Sequence, residues 1–162
     1  MTRIPHSWMI YSLNRTHLNL GMVLGEVTQE QAQQLTDGPD GWSILEIMCH
    51  VRDYQEIYIE RVQQIVNEDN PTLQVYDAEA REALISERDY AHQNLKAVFD
   101  NYCDTRQRFI QILSDLEEDQ WLRVGQHPMT GTIDVSVPVF HAIMHDCDHT
   151  EQIARTLGMR LP

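Results

Sequence analysis

Apolar residues recur at every third or fourth position along most of the chain, and this spacing predicts amphipathic helices. Ser43 and Glu46 form a capping box that marks the start of one helix, and Gly158 is a natural stop for the last. Pro138 is compatible with a helix because it falls in the predicted first turn. The four long helices are predicted at about residues 7–24, 43–67, 84–116 and 136–157.

The segments between these helices are rich in turn-forming residues. A second capping box at Thr28 predicts a short helix that ends near Leu35. We expect residues 71–80 to form a crossing loop and residues 121–135 to form a long loop without a strand, because Val135-Ser136-Val137 has no predicted partner. The pattern therefore predicts one all-α domain over residues 1–162, a four-helix bundle with long crossover connections.

Composition excludes several classes of partner. The chain has 12 basic and 25 acidic residues, a formal net charge of −13, and no basic run. Phosphate binding needs concentrated Lys and Arg, so we expect neither nucleic acid nor an anionic membrane as a partner. No window approaches 18 apolar residues, so no membrane span is predicted. Widely spaced cysteines and the lack of a signal-peptide pattern lead us to expect a cytoplasmic protein.

The histidines form a pattern of their own. His141, His145 and His149 are four residues apart in the fourth predicted helix, which places consecutive imidazoles in one stripe. Two imidazoles at this spacing can hold one metal ion. The spacing is equally compatible with a solvent-exposed stripe, because the expected core face lies on the opposite side. That core face is predicted to consist of Phe140, Ile143, Cys147 and Ala154.

A metal site would need a further ligand from another helix, and His50 is the best candidate. It lies where the apolar face of the second predicted helix meets the polar face. Glu46 or Asp53 could orient its imidazole, as ligating histidines usually require. The alternatives stay open, because a single histidine at such a position is often structural and Glu46 also completes the capping box.

Three segments of the chain share their motifs and order with one known family. The first contains His50, the second contains His127 and precedes the last helix, and the third contains His145 and His149 followed by Gln152. The segments are LTDGPDGWSILEIMCHVRDYQEIYIERV, DQWLRVGQHPMTGTIDV and HAIMHDCDHTEQI. In these segments the chain resembles the DinB superfamily of YfiT-like, metal-binding helical bundles.

The resemblance implies an up-down-down-up four-helix bundle that is often dimeric. It also implies a divalent metal ion held by His50, His145 and His149. His141 is then a neighbour of the ligands, a substrate contact or an alternate ligand, and His127 belongs to the loop or the rim of the cleft. The remaining candidates for positions beside the ligands are Glu46, Asp53 and Gln152.

Such a ligand set is typical of a catalytic site. Three neutral imidazoles leave the double charge of the ion uncompensated and at least one coordination position open. That position could hold water or a thiolate. The sequence does not choose between zinc, nickel, iron and manganese.

The family includes thiol transferases that use glutathione, bacillithiol or mycothiol, and a mycothiol-dependent isomerase. The resemblance thus implies a metal-dependent homodimeric transferase that activates a low-molecular-weight thiol for attack on a small-molecule electrophile. The alternatives are a non-catalytic metal-binding protein of the stress response, a dimeric interaction protein and a metal-dependent hydrolase. An anionic thiol needs positive charge nearby, and the nearest candidates in sequence are Arg52, Arg123 and Arg155.

Overall fold

The structure is a computed structural model and describes residues 5–159. Long helices make up most of it, and none of the helices in this range has the length and apolar character needed to cross a membrane. The helices are α1 (His6–Leu24), α2 (Gln29–Gln34), α3 (Ile44–Asn67), α4 (Ala78–Glu87), α5 (Leu95–Ser114) and α6 (Ser136–Thr156). The strands are β1 (Val124–His127) and β2 (Gly131–Asp134).

Two clusters of buried apolar side chains, one towards each end of the bundle, show how the long helices run. The N-terminal halves of α3 and α5 pack together in one cluster, and their C-terminal halves pack together in the other. The C-terminal halves of α1 and α6 belong to the first cluster and their N-terminal halves to the second. Helices α3 and α5 are therefore parallel to each other and antiparallel to α1 and α6, which confirms the up-down-down-up bundle.

Local signals in the sequence set several helix ends correctly. Thr28 and Ser43 both form complete capping boxes, each with the backbone and side chain of the residue three positions later. Gly158 follows α6 with a φ of +71°, a left-handed conformation that glycine adopts at little cost. These predicted ends are confirmed because each depends on interactions within a few neighbouring residues.

The predicted third helix is wrong as a single element. The chain instead forms α4, which begins inside the expected crossing loop, and then α5. Between them Asp89 has a left-handed backbone with a φ of 46°, and Asn94 caps the start of α5. Contacts to α3 hold the break, because Arg88 and the Tyr90 hydroxyl both donate hydrogen bonds to Asp53. The apolar spacing continues through the break, so periodicity alone did not reveal it.

The predicted long loop before α6 contains a β-hairpin, so the expectation of no strand was wrong. Strands β1 and β2 pair antiparallel, and Val124 lies opposite Asp134. Gly131 has a φ of +79° at the turn, which favours glycine. Strand β1 also bonds to the crossing loop through the backbone of Gln126. Strands of four residues each are too short for an alternating pattern to stand out.

The buried face of α6 also differs from the prediction. Phe140 and Cys147, which we expected in the core, are exposed, whereas Asp146 is buried. The acidic residue lies inside because its carboxylate pairs with the fully buried guanidinium of Arg106 at 2.7 Å. The predicted histidine stripe consequently lies at the edge of the core rather than opposite it. The buried residues of α6 are Pro138, Val139, Ala142, Asp146, Ile153 and Ala154.

Candidate metal centre

The antiparallel packing of α3 on α6 brings three predicted ligands together. His50 comes from α3, and His145 and His149 come from consecutive turns of α6. The Nε2 atoms of His50 and His145 are 3.0 Å apart, and one nitrogen from each of the three rings lies within 4.8 Å of the others. Two nitrogens bound tetrahedrally to one zinc ion lie roughly 3.3–3.4 Å apart, given Zn–N bonds of about 2.0–2.1 Å. The spacing therefore fits a shared ion.

Aromatic rings fix the orientation of these imidazoles. Tyr54 stacks on the ring of His145 with an interplanar angle of 11°, and its centroid is 4.2 Å from that of His50. Trp42 packs edge-on against His50 at 4.9 Å. Because these rings also cover the imidazoles, two of the three histidines are held in an environment with little water.

Burial keeps the three imidazoles neutral. It lowers the pKa of His50 to about 3, and the neighbouring His149 and Arg81 act in the same direction. It lowers the pKa of His145 to about 2, with further contributions from His149 and His50. Burial also lowers the pKa of His149. Neutral imidazoles can donate a lone pair to a metal ion, so the protonation state suits ligation.

Gln152 lies beside the three imidazoles, where the sequence placed it as a candidate neighbour of the site. Its Oε1 is 2.6 Å from Nδ1 of His149, and because an amide oxygen only accepts, Nδ1 carries the proton. This leaves the Nε2 lone pair of His149 free for an ion. The amide nitrogen of Gln152 in turn donates to Asp37 in the loop before α3.

The two carboxylates proposed to orient His50 do not contact it, and that part of the prediction is wrong. Asp53 is buried and accepts hydrogen bonds from Arg52, Arg88 and Tyr90. Glu46 accepts from the capping residue of α3 instead. Nδ1 of His50 is buried and has no hydrogen-bond partner among the described residues. Glu46 stays in the capping box that the sequence predicted, whereas tertiary contacts with Arg88 and Tyr90, which the sequence did not reveal, hold Asp53.

His141 and His127 lie apart from the three converging imidazoles. His141 is exposed on α6, and Nδ1 of His127 accepts a hydrogen bond from the backbone of Met129 in the hairpin. Burial and the charge of Arg61 lower the pKa of both imidazoles. Neither residue lines the cleft around the three histidines. Of the two places expected for His127, the segment before α6 contains it, at the end of β1, and the cleft rim does not.

The three imidazoles open onto a surface cleft of about 560 Å³. One wall comes from α3 and α6, and the other from α4 and the loop before α3. Besides the three histidines, the cleft is lined by Asp37, Asp40, Gly41, Trp42, Tyr54, Arg81 and Gln152. A cleft of this size and openness admits a small molecule.

The positive charge at this cleft comes from a residue that the sequence analysis missed. Arg52 pairs with Asp53, Arg123 donates to backbone carbonyls, and exposed Arg155 pairs with Glu151. None of these three arginines lines the cleft, whereas Arg81 does. Its position could not be read from the sequence, because α4 was not recognised as a separate helix.

Comparisons with known proteins agree with this fold. The sequence profile of the DinB superfamily matches residues 12–153. The structure of YfiT from Bacillus subtilis, described as a probable metal-dependent hydrolase with an unusual four-helix bundle topology, aligns with a TM-score of 0.78 and 19% identity over 99% of this chain and 91% of that one. A mycothiol-dependent maleylpyruvate isomerase aligns with a TM-score of 0.76 and 17% identity over 97% of this chain and 70% of that one. No curated protein matches the sequence.

Proposed function

Because the chain belongs to the DinB superfamily, we propose that it is a divalent-metal-dependent enzyme with His50, His145 and His149 as the metal ligands. The observation that carries the proposal is the convergence of three neutral imidazoles from two helices within 4.8 Å. Imidazole nitrogens suit zinc, nickel and iron, whereas manganese prefers oxygen donors, so the ligand set does not single out one ion.

The residues around the ligands would prepare the site for chemistry. When bound, the ion acts as a Lewis acid and lowers the pKa of a thiol or a water molecule at its open coordination position. Gln152 holds the proton on Nδ1 of His149 and thereby directs Nε2 towards the ion. Tyr54 and Trp42 exclude water from one side of the imidazoles, and the cleft leaves the other side open to small molecules.

We propose a low-molecular-weight thiol of the glutathione, bacillithiol or mycothiol type as the nucleophile. Among the described residues, the side chains that line the cleft include no cysteine, so a thiol nucleophile would come from solution. In the reaction, the thiol sulfur forms a bond to an electrophilic carbon, the leaving group departs with its electron pair, and the thiol proton passes to solvent. The mycothiol dependence of a protein with the same fold supports this choice.

A metal-dependent hydrolase is the second candidate. The chain spans 91% of YfiT, which is described as a probable metal-dependent hydrolase, but only 70% of the isomerase. A hydrolase would use the same three ligands with water in place of the thiol. A metal-binding protein without catalytic activity is the third candidate, and it predicts a bound ion but no turnover.

Thiol conjugation tests these candidates against each other. Metal-loaded protein is mixed with 1-chloro-2,4-dinitrobenzene and, in turn, with glutathione, bacillithiol and mycothiol. We expect conjugation that needs both the ion and at least one of these thiols, and that the His145→Ala variant lacks. Turnover of ester substrates without any thiol would favour the hydrolase, and tight metal binding without turnover would favour a binding protein.

We further propose that the chain forms a homodimer through the outer face of α1. Trp8, Tyr11, Leu18 and Met22 are 67%, 64%, 43% and 79% exposed there, and with Arg15 they follow the alternating three-and-four spacing of a helix-packing seam. The chain has 25 acidic residues, yet none precedes Glu26. A second copy that carries a charge of −13 would be repelled least at this carboxylate-free face.

A cytoplasmic location is also part of the proposal. Cys49, Cys103 and Cys147 are all free, and Cys49 is buried. Burial raises the pKa of the Cys49 thiol to about 12, which makes it unreactive. Unpaired cysteines of this kind are typical of proteins kept in a reducing compartment.

A further inference from the structure

Arg81 lies in α4, and its guanidinium group forms part of the cleft wall that faces the candidate metal centre. The residue lines the cleft together with His50, His145 and His149. Its guanidinium carbon lies 5.8 Å from the centroid of the Trp42 ring, which is the distance of a cation–π contact. Trp42 itself packs against His50, so one indole ring connects the guanidinium to a proposed ligand.

Apart from its contact with Trp42, the guanidinium of Arg81 has no polar partner among the described residues. Its Nε is buried and forms no hydrogen bond, and within residues 5–159 its side chain has neither a hydrogen bond nor an ion pair. Asp37 and Asp40 line the same cleft but do not pair with it. Other arginines of the chain pair with carboxylates, namely Arg52, Arg88, Arg106 and Arg155.

An unpaired guanidinium fixed on an aromatic ring is suited to an anion that arrives from solution. Its planar fork of N–H groups matches a carboxylate in a bidentate arrangement. The carboxylates of Asp37 and Asp40 repel any anion in the cleft, and they repel a phosphate group more strongly because it carries close to two negative charges at neutral pH. The site therefore suits a monoanion better than a phosphate ester.

We propose that Arg81 binds a carboxylate of the thiol cofactor and directs its sulfur towards His50, His145 and His149. The inference rests on the proposed function and specifies its substrate class as a thiol that carries a carboxylate, as glutathione and bacillithiol do and mycothiol does not. It also supplies the local positive charge that an anionic thiol needs in a protein with a net charge of −13.

Two thiols that differ in a single group provide the test. The cobalt-substituted protein is titrated with 3-mercaptopropionate and with its neutral amide, 3-mercaptopropionamide, and binding is followed by the cobalt–thiolate charge-transfer band. We expect the carboxylate to bind at least about tenfold more tightly, the gain typical of one charge-assisted hydrogen bond. Arg81→Gln removes this preference, and Arg81→Lys, which keeps the charge but not the fork, retains part of it.

Arg108→Gln is the matched control, because Arg108 is exposed on α5 and does not line the cleft. This variant should keep the full preference for the carboxylate. Equal dissociation constants for the two thiols, or a preference that survives in Arg81→Gln, would overturn the role of Arg81 while the cobalt–thiolate band still supports the proposed function. If neither thiol produces the band in cobalt-loaded protein, the thiol chemistry itself fails, and the inference fails with it. If Arg81→Gln does not fold, Arg81→Lys still tests the proposal, because its preference for the carboxylate should be smaller than that of the wild type.

Discussion

Gln152 reaches the candidate metal centre from the turn of α6 that follows His149. Its amide oxygen holds the Nδ1 proton of His149 at 2.6 Å, and Asp37 holds the amide in turn. We predict that Gln152→Leu weakens metal affinity about 10- to 100-fold, because it removes the acceptor that orients the ligand. Competition with a chromophoric chelator measures the affinity.

An exposed glutamine provides the control for this prediction. Gln34 bonds to Glu30 on the surface of α2 and does not line the cleft, so Gln34→Leu should leave metal affinity unchanged. Equal affinities in wild type and Gln152→Leu would show that the contact to His149 does not orient a ligand.

At the scale of residues, the three histidines and Gln152 could be named from the sequence, but most of their surroundings could not. His145 and His149 could be paired from their spacing, His50 was the best further candidate on another helix, and the resemblance implied all three as ligands. Asp53 follows His50 by three residues, yet its carboxylate accepts hydrogen bonds from Arg52 and from Arg88, which follows α4. The contact with Arg88 joins two separate elements, so the pattern of α3 alone does not show it. Arg81 gave no local signal, because it approaches the site from another element.

At the scale of secondary-structure elements, a buried ion pair determines which face of α6 is turned towards the core. The guanidinium of Arg106 in α5 contacts the carboxylate of Asp146, and Thr16 of α1 and Tyr102 donate to the same carboxylate. Asp146 immediately follows His145, so the same rotation turns His145 towards α3. The pair thus links the packing of three helices to the position of a proposed ligand.

Removing one partner of this pair should destabilise the fold strongly. We predict that Asp146→Ala lowers the free energy of unfolding by about 3–5 kcal/mol, because it leaves the charge of Arg106 buried and unpaired. The double variant Arg106→Met, Asp146→Leu should recover much of the loss, since it buries no charge. Urea unfolding followed by circular dichroism measures these differences.

The exposed ion pair between Lys96 and Asp100 is the control for the loss in unfolding free energy. Asp100→Ala should cost no more than about 1 kcal/mol, because solvent screens such pairs. If Asp146→Ala cost no more than Asp100→Ala, the buried pair would not determine how α6 packs.

The elements also show where sequence patterns lose information. The ends of α2 and α3 depend on capping boxes and could be predicted, whereas the break between α4 and α5 depends on contacts of Arg88 and Tyr90 with Asp53. The core face of α6 was predicted incorrectly because the predicted face consisted of apolar positions and left out the buried Asp146. In both cases a buried polar contact between distant segments overrides the local pattern.

At the scale of the whole molecule, the outer face of α1 is expected to join two chains. We predict that wild-type protein is a dimer and that Met22→Glu shifts it towards monomer, because the substitution places a charge in an apolar interface. Light scattering coupled to size-exclusion chromatography measures the mass. Met129→Glu is the matched control, because both methionines are 79% exposed and Met129 lies in the hairpin region.

The same mass for wild type and Met22→Glu, whether monomer or dimer, would contradict this role of α1. A dimer that Met129→Glu disrupts instead would place the interface at the hairpin.

The account as a whole depends on one metal site formed by α3 and α6. His145→Ala and His149→Ala each remove one of three converging nitrogens, while His141→Ala changes an exposed histidine of the same helix. All three variants should keep the helical circular dichroism of the wild type, because the buried face of α6 is formed by other residues.

Elemental analysis of the purified wild type and these three variants tests the central claim most directly. We predict about one divalent ion per chain in the wild type and in His141→Ala, and none in His145→Ala or His149→Ala. Equal metal content in the wild type and in the His145→Ala and His149→Ala variants would contradict the claim.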